Sequence, residues 1–341
     1  MGQALIYTKS IIIDNEIFTN NHNLYYNSYK EEFSKMNKII LGITSVMVIC
    51  LIIVLVFYQN STKTSPLKLD QNETEQNQSD QNEQALYADQ TIDYSLQNDK
   101  LQITYDKGKS WTPVPIEKDK LFEGEYSGDK QELIDNSYFL SKNRTAFLYS
   151  EGIDLSDNKI ILKYSLDQGK NWQDAVVTEH YPSLRFRKVN FLNENFGYVI
   201  ISGDRTMSQE MSNVFVTHDG GKSWSETNSS NVTRLISDGG FVDENAGFLS
   251  YGIINPDEPD LYVTQDTGNS WMKANINIPD QYNEIFVQAE MPFKEEDHLA
   301  VYINQGPNGD YEGGKVKGKF LSNDNGKTWE FSTEVKPDET E

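Results

Sequence analysis

Residues 217–224 read Thr217-His218-Asp219-Gly220-Gly221-Lys222-Ser223-Trp224, and the same frame, Ser/Thr-x-Asp-x-Gly-x-(Ser/Thr/Asn)-Trp, occurs five times along the chain. The first copy is Thr104, Asp106, Gly108, Ser110 and Trp111, and the second is Ser165, Asp167, Gly169, Asn171 and Trp172. The third is Thr217, Asp219, Gly221, Ser223 and Trp224, and the fourth is Thr264, Asp266, Gly268, Ser270 and Trp271. The last is Ser322, Asp324, Gly326, Thr328 and Trp329, so every tryptophan of the chain ends a copy. A carboxylate at the start of a tight turn accepts hydrogen bonds from backbone N–H groups a few residues on, and glycine takes the positive φ that reverses the chain. The hydroxyl two residues before the Asp adds a second local bond, and the Trp returns to pack between sheets. Each copy is therefore expected to form a self-capped β-hairpin with a structural role.

A second element repeats ahead of the boxes. Residues 191–198, FLNENFGY, match residues 241–248, FVDENAGF, with looser copies at 139–147 and 293–301. These read as the first two strands of a unit and their connecting turn, with 197–202 and 260–264 placed as second and third strands. No amphipathic helix is apparent. The box aspartates are 61, 52, 47 and 58 residues apart, and a four-stranded blade needs about 40–50 residues. No gap can hide a further unit. The fold expected is all-β, a β-propeller of five four-stranded blades. Leu86-Tyr87-Ala88 would supply the first strand of the first blade, so that each blade is complete within its own repeat.

On these motifs residues 86–335 resemble the Asp-box, or bacterial neuraminidase repeat, superfamily of sialidase-like propellers. They also look like the propellers of the photosystem-assembly-factor family and related membrane-anchored bacterial proteins. The resemblance implies that each box joins the third and fourth strands of a blade on the outer rim, away from the ligand face. It also raises sialidase chemistry, which in that family requires three arginines around the substrate carboxylate, a Tyr nucleophile with a Glu partner, and an Asp acid/base. The family's first arginine lies before the first box, in an Arg-Ile-Pro motif. Here the only arginines are 144, 185, 187, 205 and 234, and none precedes the first box. Arg185-Phe186-Arg187 lacks the Ile-Pro that follows the family arginine, which argues against sialidase activity.

Ahead of the repeats lies a different kind of sequence. Residues 39–58 are twenty consecutive uncharged residues, enough at about 1.5 Å rise per residue to span a hydrocarbon core of about 30 Å. A soluble helix would show a polar face, and this one shows only Thr44 and Ser45. Gln59-Asn60-Ser61-Thr62 offers no small-x-small cleavage site, so an uncleaved transmembrane helix is expected. Cys50 follows Ile49 in mid-span, which makes it an apolar-face residue rather than a lipid attachment site. Lys30, Lys35 and Lys38 before the span and Lys63 and Lys68 after it favour an inside N-terminus, placing the C-terminal part outside the cell membrane. Residues 1–38 then form a short cytosolic tail, or 1–35 are an over-long start. Residues 59–84, rich in Gln, Asn and Glu, cannot bury enough surface to offset their ordering entropy and read as a flexible tether. Residues 85–341 form the propeller.

Composition narrows the chemistry. The chain carries a formal charge of −22, and the excess acid lies beyond residue 60, which excludes nucleic acid as a partner because it is held by Lys and Arg. One cysteine permits no internal disulfide and no cysteine-built zinc site, and the histidines at 22, 180, 218 and 298 have no ligand spacing. The acidic loops 154–157 and 255–260 lack the spacing of a calcium loop. Signatures of a nucleophile elbow, a phosphate loop and a dinucleotide fold are absent, so no cofactor, metal or catalytic residue is assigned. The nineteen Tyr and sixteen Phe residues are read mainly as blade core. The function expected is a non-enzymatic binding or assembly module presenting loops to a protein or glycan partner. The alternative is a cell-surface glycoside hydrolase using a pair of the abundant carboxylates.

Overall fold

The computed structural model describes residues 91–336, apart from residue 127, residues 153–156, residue 208 and residue 254. The expected transmembrane helix at 39–58, the tether at 59–84, and the strand at Leu86-Tyr87-Ala88 lie outside the described residues. Among the described residues no helix is long and apolar enough to cross a membrane.

What is described is all-β, with helix confined to four short 3-10 turns. The strands fall into five sheets that follow one another along the chain. The first holds β1 (Asp93–Ser95), β2 (Lys100–Thr104) and β3 (Thr112–Glu117), and the second β4 (Tyr138–Leu140), β5 (Thr145–Glu151), β6 (Lys159–Ser165) and β7 (Gln173–Glu179). The third holds β8 (Leu184–Phe191), β9 (Gly197–Thr206), β10 (Gln209–Thr217) and β11 (Ser225–Glu226). The fourth holds β12 (Leu235–Phe241), β13 (Gly247–Gly252), β14 (Asp260–Thr264) and β15 (Met272–Lys273). The fifth contains β16 (Asn275–Asn277), β17 (Gln288–Ala289), β18 (Phe293–Glu295), β19 (His298–Asn304), β20 (Lys317–Ser322) and β21 (Thr328–Val335).

Side-chain alternation explains why the sheets stack. Along a strand successive side chains point to opposite faces, so one strand can feed two cores. In β5, Phe147 and Tyr149 pack with Leu101, Ile103, Val114 and Ile116 of the first sheet, while Ala146 and Leu148 pack with Val189, Phe191, Val199 and Ile201 of the third. The third sheet repeats the device: Tyr198 and Ile200 of β9 face Ile236, Phe241 and Leu249 of the fourth. Phe248, Leu261 and Val263 of the fourth in turn face Val301, Phe320 and Trp329 of the fifth. Strands buried on both faces read as nearly continuous apolar runs, as in the Val199, Ile200 and Ile201 of β9. Full burial of one such side chain stabilises by about 1.5–3 kcal/mol, which is ample reason for each sheet to stay on its neighbours.

The end sheets differ, each for a physical reason. In the first, β3 alternates buried Val114 and Ile116 with exposed Pro113, Pro115 and Glu117, so one face is covered and the other open to solvent. It shows three strands among the described residues rather than the four expected. The fifth departs in the other direction. Its edge strand β21 is covered by β16, which follows the fourth box and pairs in parallel, with Asn275 opposite Thr328 and Asn277 opposite Glu330. β16 is thus an added parallel strand that satisfies backbone groups of β21 beyond the antiparallel strands of the fifth sheet.

Candidate functional site

The five boxes adopt one geometry. In the third, Thr217 Oγ1 donates to Asp219 Oδ1 at 2.8 Å and accepts from the N–H of Gly221 at 2.9 Å. Asp219 Oδ1 also accepts from the N–H of Ser223 at 3.0 Å, and its Oδ2 accepts from Ser223 Oγ at 2.6 Å. Thr104, Asp106 and Gly108, then Ser165, Asp167 and Gly169, repeat the hydroxyl-to-carboxylate and amide-to-hydroxyl bonds at 2.8–2.9 Å. So do Thr264, Asp266 and Gly268, and Ser322, Asp324 and Gly326. These donors hold the carboxyls of Asp106 and Asp219 down to about 2 and also lower Asp167, Asp266 and Asp324. Both central residues of each turn have positive φ: Gln168 at 60° with Gly169 at 76°, and Thr267 at 59° with Gly268 at 81°. The sequence pattern assigns that conformation only to the glycine. The preceding position carries no residue signature because the carboxylate cage holds it there.

Every box from the second onward seats against the sheet before it. A Cβ on Gly169 would meet Thr112 Cγ2 at 3.3 Å, one on Gly221 would meet Leu162 Cδ2 at 3.3 Å, and one on Gly326 would meet Phe248 Cε1 at 2.3 Å. Gly268 meets Thr227, just beyond the third sheet, at 2.6 Å, whereas the nearest contact of Gly108 is its own Trp111. The tryptophans grade accordingly. Trp329 is fully buried, Trp172, Trp224 and Trp271 are half-buried, and Trp111 is 39% exposed. Phe147, Phe191, Phe241 and Phe248 meet Trp172, Trp224, Trp271 and Trp329 with ring centres 6.0–6.5 Å apart. The boxes thus occupy one end of the stacked sheets and act as braces.

Loops suited to function lie at the other end. β8 starts there at Leu184 and finishes at Phe191 beside the third box, so Arg185 stands roughly 20 Å from that box at about 3.4 Å per residue. Four of the five arginines belong to this end, and each is engaged. Arg185 grips Glu210 with two nitrogens and donates to Ile236 O at 2.5 Å, while Arg187 donates to the carbonyls of Leu121 and Glu123. Arg205 lies 3.8 Å from Glu125, and Arg234 pairs with Asp260. The fifth, Arg144, lies at the box end, donating to Glu194 O at 2.8 Å. No three of them converge on open space.

Several carboxylates and phenols at the loop end are tied down as well. Glu258 meets Lys273 at 2.7 Å, Asp238 meets Lys188 at 2.7 Å, and Glu151 pairs with Lys120. Tyr181 donates to Asn213 Oδ1 at 2.9 Å, and Tyr251 shares hydrogen bonds with Ser212 and Ser230. Burial pushes both phenols above their ordinary value, the opposite of what a nucleophilic tyrosine needs. Glu123 is a carboxyl pushed up by burial, against the pull of Lys120 and Arg187. Among the described residues no group of three His, Cys, Asp or Glu side chains is placed to hold a metal, and Asp260 of the acidic loop 255–260 faces Arg234 and Lys273. The loop end also encloses an open cleft of about 170 Å³ between residues 255–256, 284–287 and 305–311.

Comparison with known proteins bears first on the repeat. The BNR/Asp-box repeat profile matches residues 215–226, which contain the third box. No curated protein is matched by the chain. Among solved structures the chain is similar to a protein of unknown function from Dyadobacter fermentans, at 15% identity and a TM-score of 0.37, over 62% of this chain and 61% of that one. It is similar to a mutant Trypanosoma rangeli sialidase displaying trans-sialidase activity, at 13% identity and a TM-score of 0.37, over 62% of this chain and 40% of that one. A third is a GH43 β-xylosidase/α-arabinofuranosidase from a compost microbial metagenome, at 10% identity and a TM-score of 0.34, over 62% and 77%. The chain thus spans about three fifths and two fifths of the first two, and likenesses at this level do not say what it does. The matched repeat, its five copies of one hydrogen-bonded turn and the stacked antiparallel sheets they brace support a BNR, sialidase-like β-propeller superfamily.

Proposed function

We propose that the protein is a single-pass, membrane-anchored β-propeller of five blades whose extracytoplasmic part is a non-enzymatic binding or assembly module for a protein or glycan partner. The uncharged run at 39–58 and the polar tether at 59–84 support the anchor and its orientation, and five face-to-face sheets support the blade count. One observation carries the binding role. At the loop end Arg185, Arg187, Arg205 and Arg234 are each engaged by a carboxylate or backbone carbonyl of the protein itself, leaving a braced surface without a free guanidinium cluster. A rigid scaffold carrying loops at one end is a recurrent recognition design.

Full-length protein in lipid nanodiscs, tested on a glycan array and then with each captured glycan in solution, should show saturable binding with no product formed. One observation favours a hydrolase, the Glu123 carboxyl pushed up by burial, which is the direction a general acid requires. Product release that disappears in Glu123→Gln would therefore sink the binding-only reading. Protease added to intact cells should cleave the body from its anchor; complete protection of the body would refute the orientation.

A further inference from the structure

We infer that the cleft between the fourth and fifth sheets is a subsite for one neutral, hydroxyl-rich ring, a single sugar unit of a glycan. This rests on the binding-module reading and names its ligand class. The cleft is built from three segments: 255–256 before β14, 284–287 before β17, and the loop 305–311 after β19. At about 170 Å³ it is smaller than the roughly 300–1,000 Å³ of a site for a drug-sized ligand, and it suits one ring rather than a chain.

Its walls are held before any ligand arrives. Gln305, 6% exposed, braces the loop by donating from Nε2 to Tyr311 O at 3.0 Å and Val316 O at 2.9 Å. Gly306 sits at φ +66°, where an added Cβ would meet Val287 at 3.1 Å and Pro256 at 3.2 Å, so this turn packs directly on the opposite wall. Asn308 Nδ2 reaches Asn255 Oδ1 at 2.5 Å and ties the two rims together. A preformed wall removes the ordering cost that a flexible loop would impose on a small ligand.

The lining sets the chemistry. Ile285 and Pro256, both half-buried, offer apolar surface over the buried Val287, which suits the C–H face of a pyranose. Around it stand oxygen acceptors: the carboxylates of Glu284 and Asp310, the Asn308 amide, and Gln305, whose Oε1 has no hydrogen-bond partner. Hydroxyl groups donate to such acceptors. No Lys, Arg or His lines the cleft, so an anionic sugar would meet two carboxylates and no cation. A neutral ring with donors on its rim and a bare C–H face satisfies both halves of this surface.

The test uses the full-length chain in nanodiscs with free glucose, N-acetylglucosamine and N-acetylneuraminic acid, followed by saturation-transfer NMR. Asn308 is exposed at the rim, so Asn308→Trp fills the cleft without entering a core. Met207→Trp, on the β9–β10 hairpin where Met207 is 87% exposed, is the control. A neutral sugar should bind the parent and Met207→Trp alike, weaken at least tenfold in Asn308→Trp, and outcompete N-acetylneuraminic acid. If Asn308→Trp fails to fold, Asp310→Ala takes its place with the same expectation. Neutral-sugar binding that survives the cleft variant overturns this assignment while leaving the binding module intact. Preference for the anionic sugar, or no neutral sugar bound at saturating concentration, also overturns it. Sugar release from a polymer by the parent would instead overturn the binding-module reading.

Discussion

Glu210 has no exposed side-chain surface, and its Oε1 accepts from Arg185 Nη2 at 2.5 Å and from the N–H of Ile236 at 2.6 Å. One carboxylate of β10 thus joins the first strand of its own sheet to the first strand of the next. Removing one member of a buried pair leaves the other charged and unpaired, at a cost of about 3–5 kcal/mol. Arg185 keeps 21% of its side-chain surface exposed, so its own orphaned charge can be hydrated. Arg185→Ala, which strands the sealed Glu210 carboxylate, should therefore cost more stability than Glu210→Ala, and the double variant should cost less than the sum. Urea unfolding of the four species checks this; additive losses would mean that the two side chains do not act as a pair.

Gly326 and Gly108 hold the same place in two boxes, at φ +87° and +79°, but in different surroundings. Alanine at either position meets the left-handed penalty of about 1–2 kcal/mol. At Gly326 the methyl would also stand 2.3 Å from Phe248, whereas at Gly108 the nearest atom is 3.5 Å away on the exposed Trp111. Gly326→Ala should thus lower the melting temperature distinctly more than Gly108→Ala. Equal shifts would contradict the seating of the fifth box on the fourth sheet.

The box carboxyls set an acid limit. Ser223, Thr217 and the turn amides hold the Asp219 carboxyl down to about 2, below the roughly 3.9 of an unfolded chain. A carboxyl lowered on folding stabilises fully above its unfolded value and loses that contribution as pH falls through its folded one. Thermal stability should therefore drop between about pH 4 and pH 2. Asp219→Asn should flatten part of that drop, and Asp219→Ala should cost about 1 kcal/mol at neutral pH, a modest figure because solvent can rehydrate an exposed turn. Parallel acid curves for parent and Asp219→Asn would remove this box from the explanation.

The box end of the fold was legible because each box is a local device: hydroxyl, carboxylate and glycine lie within five residues, and their bonds close within the same turn. The strand Asp260–Thr264 was legible for a similar reason, alternation between two turn signals. β16 was not, because Asn275, Ile276 and Asn277 bear no pattern of their own and become a strand only by pairing with β21 more than fifty residues on. The commitments of the arginines were equally hidden. Arg185-Phe186-Arg187 shows that two guanidinium groups share a strand face, but not that one meets a buried Glu210 and the other the carbonyls after β3. The cleft was invisible for the same reason, since its three walls come from segments separated by some twenty to fifty residues.

Arg187 offers the sharpest test of how the loop end is braced. It is 3% exposed, burial lowers its guanidinium to about 10, and its donors go to backbone rather than to a carboxylate: Leu121 O at 3.3 Å and Glu123 O. The segment so held, which links the first sheet to the second, is also fastened to the third by the N–H of Glu125 donating to Leu184 O at 2.7 Å. Arg187→Met keeps the apolar stem and removes the donors, leaving two carbonyls to find water at a cost of about 1–3 kcal/mol. Because the loss is local, hydrogen exchange should quicken at residues 118–126 and at the start of β8 while β19 to β21 stay protected. Uniform acceleration across all five sheets would instead make Arg187 a brace of the whole fold, and no acceleration at 118–126 would show that Glu125 and the buried Leu121 and Phe122 hold the segment without it.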